Sequence, residues 1–201
     1  MGILNLIKAN FTGRVGQMVG AKWKNKSTIR SYTKPAYTST PAQQVIRQGF
    51  GEITSFVALF ADQIRSLSAL DTKGMSVRNA IIKLNRDMVQ AGTLDHPNLL
   101  VSRGGLPMVS SFVATQAGAG NVLSATWSAA TGATISERAR VVVIAVDPDN
   151  SLVRVGTALN SAGTITLDGA NPAGASWHIY HYLLDWRGSS RVASPSAYST
   201  I

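Results

Sequence analysis

Apolar residues recur at helical spacing through the first half of the chain. Val45, Ile46, Phe50, Ile53, Phe56, Val57, Phe60, Ile64 and Leu67 fall on one wide face of a helix. Thr40 is a good N-cap and Pro41 a good first-turn residue, so the spacing predicts a helix from Pro41 to about Leu67. Gly49 and Gly51 weaken its middle and permit close packing or a bend. A second helix follows Ser76 as N-cap, with Val77, Ala80, Ile81, Leu84 and Met88 on one face and Gly92 as its stop. The two form an αα-hairpin around Asp71–Gly74, and their stripes read as core rather than as a cofactor box. Leu99–Val101 resembles a short strand, and Arg103–Pro107 reads as a hinge.

The period then changes. From Val109 onward short β runs alternate with turns: Ser111–Thr115, Val122–Ser128, Arg140–Val146, Val153–Leu159, Gly163–Leu167, Trp177–Asp185 and a last run within Ser190–Tyr198. Asp147–Asn150, Asn160–Gly163 and Asp168-Gly169 supply turn chemistry between them. Strands at this regular spacing predict an antiparallel β-sandwich, with Trp127 and Trp177 as core aromatics. With no cysteine pair it is expected to be of the fibronectin type III kind among immunoglobulin-like folds.

The first 35 residues follow neither pattern. Ile3, Leu4, Leu6 and Ile7 read as a short strand or helical turn, three glycines (Gly13, Gly16, Gly20) punctuate the next stretch, and Gly20–Tyr32 reads as two strands joined at Asn25-Lys26. Trp23, Ile29 and Tyr32 are its packing residues. So much glycine and charge cannot bury enough apolar surface to fold alone, which leaves a hairpin set on something else, or an arm. The expected plan is α+β: a basic glycine-rich arm or hairpin over residues 1–39, a helical hairpin and hinge over 40–107, and a β-sandwich over 108–201.

Charge sharpens this plan. Net charge is +9, and residues 1–40 hold seven of the 19 lysines and arginines with no Asp or Glu. The asymmetry points to an anionic or protein partner for this block, with Arg14, Lys22, Trp23, Lys24, Lys26, Arg30 and Tyr32 as the candidate anchoring residues. Nucleic acid is one such partner, although no helix-turn-helix, zinc or aromatic-platform motif accompanies the charge. The plainer alternative is that these lysines only deter pairing along solvated strand edges. Charged residues make up only 14% of the chain, and a sparsely charged surface favours self-association. A hydrophobic fraction of 45% and a mean hydropathy of +0.09 indicate a real core. No signal peptide, myristoylation pattern or membrane-length apolar run is present.

Catalytic chemistry finds little support. His178 and His181, three apart in an expected strand, point to opposite faces and cannot chelate one ion, while His96 precedes Pro97 and reads as a surface or capping residue. Asp147 and Asp149 flank Pro148 in what reads as a turn rather than a calcium site. No nucleophile elbow, phosphate-binding loop or dinucleotide fingerprint occurs. A non-enzymatic protein with no cofactor and no metal is expected. An aromatic site at Tyr180, Tyr182 or Trp186, gripping protein or glycan, is the alternative on the sandwich.

The blocks Gly13–Lys24, Ile29-Arg-Ser, Thr40-Pro-Ala-Gln-Gln and Leu100-Val-Ser-Arg-Gly-Gly-Leu-Pro occur in this order over nearly the whole chain. Together they resemble an uncharacterised family of Bacteroidota bacteria and their phages, a domain of unknown function (DUF6266-like), which implies no activity. The Thr-Pro-Ala-Gln helix start is also similar to segments of phage-encoded structural proteins. The resemblance implies a bacteriophage virion component, such as a minor capsid, decoration or head/tail-associated protein. It would be made in the host cytoplasm, be oligomeric, avoid membranes, and hold other virion proteins or its own copies through the N-terminal block.

Overall fold

A computed structural model describes residues 12–23, 26–34, 39–117, 122–132, 134–169, 171–172 and 174–201. The expected segment at Ile3–Ile7 lies outside them. The chain divides into two units, residues 1–40 and 41–201.

The second unit is an α+β fold built around a β-sandwich. The first unit's strands are β1 (Gly13–Val15), β2 (Met18–Trp23) and β3 (Lys26–Ser31). In the second unit β4 (Ser110–Ala117), β5 (Val122–Ser128) and β8 (Thr164–Leu167) form one antiparallel sheet in the order β4-β5-β8. The other runs β10-β9-β6-β7, from β6 (Arg140–Asp147), β7 (Leu152–Leu159), β9 (His178–Arg187) and β10 (Ser190–Ala193). A last strand, β11 (Ala197–Thr200), pairs with the first half of β9. The expected final run is therefore two strands, interrupted at Ser194–Ser196. Ser194 donates its amide to Leu183 O and accepts the Leu183 amide on its Oγ, both at 2.9 Å, so the ladder continues through a side chain.

Helices cover the second face of the larger sheet. α1 (Pro41–Phe60), α2 (Val77–Leu84) and α3 (Arg86–Ala91) place Ile53, Phe56, Val57, Phe60 and Ile81 in one core with Val142, Ile144, Val146, Tyr180, Tyr182 and Leu184. The alternate positions Val141, Val143, Ala145, Ile179 and Leu183 pack against Leu123, Trp127, Leu167 and Trp177 in the other. β6 and β9 are thus buried on both faces, which is why β6 runs apolar without a break from Val141 to Val146. The segments expected as a separate helical hairpin and a separate sandwich share the first of these cores.

Four local expectations change. α1 stops at Phe60, where i→i−3 bonds such as Gln63 N to Phe60 O (3.0 Å) tighten the chain into turns up to residue 67. The second helix breaks at Asn85, which caps both halves. Its buried amide donates to Ile81 O and Leu100 O and accepts from Leu100 N, all at 2.8 Å. Leu99–Val101 is consequently not a strand; Asn85 and the Ser196 hydroxyl, which accepts from Val101 N at 2.9 Å, take the place of a neighbouring strand. Arg103–Pro107 is not a free hinge either. Leu106 donates to Ala193 O (3.1 Å), and Gly104 lies so close to the Ala193 carbonyl that no Cβ fits there.

Candidate partner-anchoring surface

Glycine and β-branched residues let the N-terminal segment pair as a three-stranded meander. Gly13↔Gly20, Arg14↔Val19 and Val15↔Met18 align β1 with β2, and Met18↔Ser31 through Trp23↔Lys26 align β2 with β3. Gly16, at φ 57°, turns β1 into β2. Cross-strand partners share a face and alternate residues oppose one another, so the register sorts the side chains.

One face carries Val15, Met18 and Ile29 around Gly13 and Gly20, with Lys22 at its end. The three large apolar side chains are 58%, 46% and 44% exposed. The opposite face carries Arg14, Val19 and Arg30. Arg14 is held in place twice: its Nε donates to Gly16 O (3.0 Å), and its guanidinium lies 3.6 Å from the centre of the Tyr32 ring. Thr28 Oγ1 donates to Ala21 O (3.1 Å), and Tyr32 N to Gln17 O (2.6 Å) closes the sheet. Of the residues singled out in the sequence, Arg14, Lys22, Arg30 and Tyr32 stand on this sheet. Trp23 and Lys26 are partners in the register at the β2–β3 end, and Lys24 lies outside the described residues. The exposed apolar face was missed, although the alternation Val15, Met18, Ile29 across two turns carries it.

The sandwich aromatics do not form a site. Tyr180 and Tyr182 are fully buried beneath the helices, and their hydroxyls donate to His96 O (3.3 Å) and Leu67 O (3.1 Å). Burial raises the pKa of both phenols. Only Trp186 reaches the surface. His96, expected as a surface or capping residue, is partly buried, stacks on His178 with ring centres 3.7 Å apart and meets the Phe56 ring edge-on. Its Nδ1 pairs with Tyr180 Oη (3.3 Å), and His178 Nδ1 with Tyr198 Oη (2.9 Å). Burial, then His178, lowers the His96 pKa to about 4 against the pull of Asp95. His178 is lowered by burial against Asp149 and Asp147. His181 faces the other way, stacked at 3.7 Å on Phe112, and burial lowers it to about 4.

Asp147 works as a turn residue: its Oδ1 accepts from the amides of Asp149 (3.1 Å) and Asn150 (3.2 Å). Among the described residues no three His, Asp or Glu side chains group as metal ligands, and no helix is long and apolar enough to cross a membrane.

The fold and surface define a class first: an α+β protein with a helix-backed β-sandwich, and a basic N-terminal sheet with a half-exposed apolar face. The family described as one of unknown function, DUF6266, matches residues 10–195, and the chain belongs to it. No curated protein and no solved structure matches the chain.

Proposed function

We propose that this is a non-enzymatic assembly protein, anchored through its N-terminal sheet to a larger particle, and that the particle is a bacteriophage virion. The observation that carries the reading is the bare apolar face of Val15, Met18 and Ile29. A three-stranded sheet gains stability from covering one apolar face, and these three side chains are about half exposed. A partner that buries these half-exposed side chains stabilises the sheet by on the order of 1 kcal/mol for each. The first acid in the sequence is Glu52, so the sheet also meets acidic partner surfaces without repulsion.

A second reading, nucleic-acid contact, is favoured by the opposite face, where a pre-positioned Arg14 and Arg30 flank Val19. It predicts an affinity that falls steeply with salt. Photo-cross-linking separates the two. A photoreactive group at Ile29 is expected to capture protein in the native particle, whereas one at Arg30 captures nucleic acid if the second reading holds. Capture of neither contradicts both.

A further inference from the structure

Outside the N-terminal sheet, the turns after α1 and the start of α2 enclose a cavity of about 390 Å³, within the usual range for small-ligand pockets. Three arginines line it, Arg65, Arg78 and Arg191, from three separate parts of the chain. Asp62 is the one acid among the lining residues. The ion pairs of the described residues, Lys73–Asp71 (3.6 Å) and Arg86–Asp87 (3.9 Å), involve none of these guanidiniums.

Arg78 and Arg191 are positioned yet have donors to spare, while the Arg65 side chain is exposed. Arg78 donates through one terminal nitrogen to Thr54 O (3.0 Å), and its Nε is buried without a hydrogen-bond partner. Arg191 Nη1 donates to the carbonyls of Arg65 and Ser66, which anchors one end of its guanidinium and leaves Nε and Nη2 as further donors.

The remaining wall mixes apolar side chains (Ala61, Leu70, Met75) with further donors. Ser76 caps α2 by accepting from Asn79 N (3.2 Å), and Ser68 accepts from Leu70 N (3.2 Å). Both hydroxyl protons therefore stay free to donate outward. The helix provides no partner for the amides of Val77 and Arg78, which stand at the positive end of its dipole. Guanidinium forks, hydroxyls and a helix start together match a multiply charged tetrahedral oxyanion.

We propose that this cavity is a binding site for a phosphate-class oxyanion, held by Arg65, Arg78 and Arg191 over the start of α2. The volume exceeds that of inorganic phosphate alone, which leaves room for a phosphomonoester or pyrophosphate. The test is an amide NMR titration of the full chain at constant ionic strength with inorganic phosphate, pyrophosphate, glycerol phosphate and, for comparison, acetate. Saturable shifts centred on Val77 and Arg78 are expected with the phosphates and not with acetate; the strongest of the three phosphates tells free anion from ester. Arg65→Gln, whose side chain is exposed, is expected to keep the spectrum of the folded chain and weaken binding about tenfold. Arg30→Gln in the N-terminal sheet is expected to leave it unchanged. Shifts that never saturate, that follow acetate equally, or that respond to Arg30→Gln as much as to Arg65→Gln would overturn the proposal.

Discussion

Gly49 is where α1 and α3 touch. A Cβ there would stand 2.7 Å from Val89 O and 2.8 Å from the Gly92 Cα, both backbone atoms that cannot swing aside. Gly49→Ala is therefore expected to destabilise the protein by about 1–3 kcal/mol, as overpacking does. Gly51, two residues on, has open space where its Cβ would be. Gly51→Ala should raise stability by up to about 1 kcal/mol through helix propensity alone. Paired thermal melts of the two variants check both signs. The histidines make a pH prediction. His96 and His181 are lowered from 6.5 to about 4 in the fold, so between those values the unfolded chain binds more protons than the folded one. Stability is expected to be full above about pH 6.5, to fall as pH drops towards 4, and then to level off. Urea midpoints measured across that window test this; a flat profile would count against the buried placement of His181 and the half-buried placement of His96.

At the scale of elements, β6 and β9 explain the architecture. Val141–Val146 is apolar at every position, and a strand of that kind needs a cover on each side. One cover is the β4-β5-β8 sheet and the other is the helical layer. The segment 108–201 on its own would expose Val142, Ile144, Val146, Tyr180 and Tyr182. It is expected to aggregate or remain molten, whereas residues 41–201 fold cooperatively; size-exclusion chromatography and amide dispersion distinguish these outcomes. Much of this layout was legible in the residues. The β runs, the Ser76 cap, the Gly92 stop and the two core tryptophans are each set by local chemistry that a sequence displays. The shared core was not legible, because a sandwich and a helical hairpin carry the same patterns whether or not they pack together. The unbroken Val141–Val146 run was the available clue. Tyr180 and Tyr182 misled for the same reason: the two-residue period of a strand shows which residues share a face but not what covers it. Asn85 hid the break in the second helix, since its partner Leu100 lies 15 residues away.

For the whole molecule, the division at residues 40/41 matters most. The second unit has its own two cores, so removal of residues 1–40 should leave the unfolding midpoint of 41–201 unchanged. The first unit has the exposed apolar face and the basic face, which supports the account of it as an attachment device. In the candidate surface, charge was legible from composition, while the sorting of Val15, Met18 and Ile29 to one side needed the register. The most direct measurement is sedimentation with mass spectrometry of the native source material, comparing the full chain with one lacking residues 1–40. The account predicts that the full chain travels within a large particle and the shortened one as a free, folded species. Two free species of equal size class would contradict it.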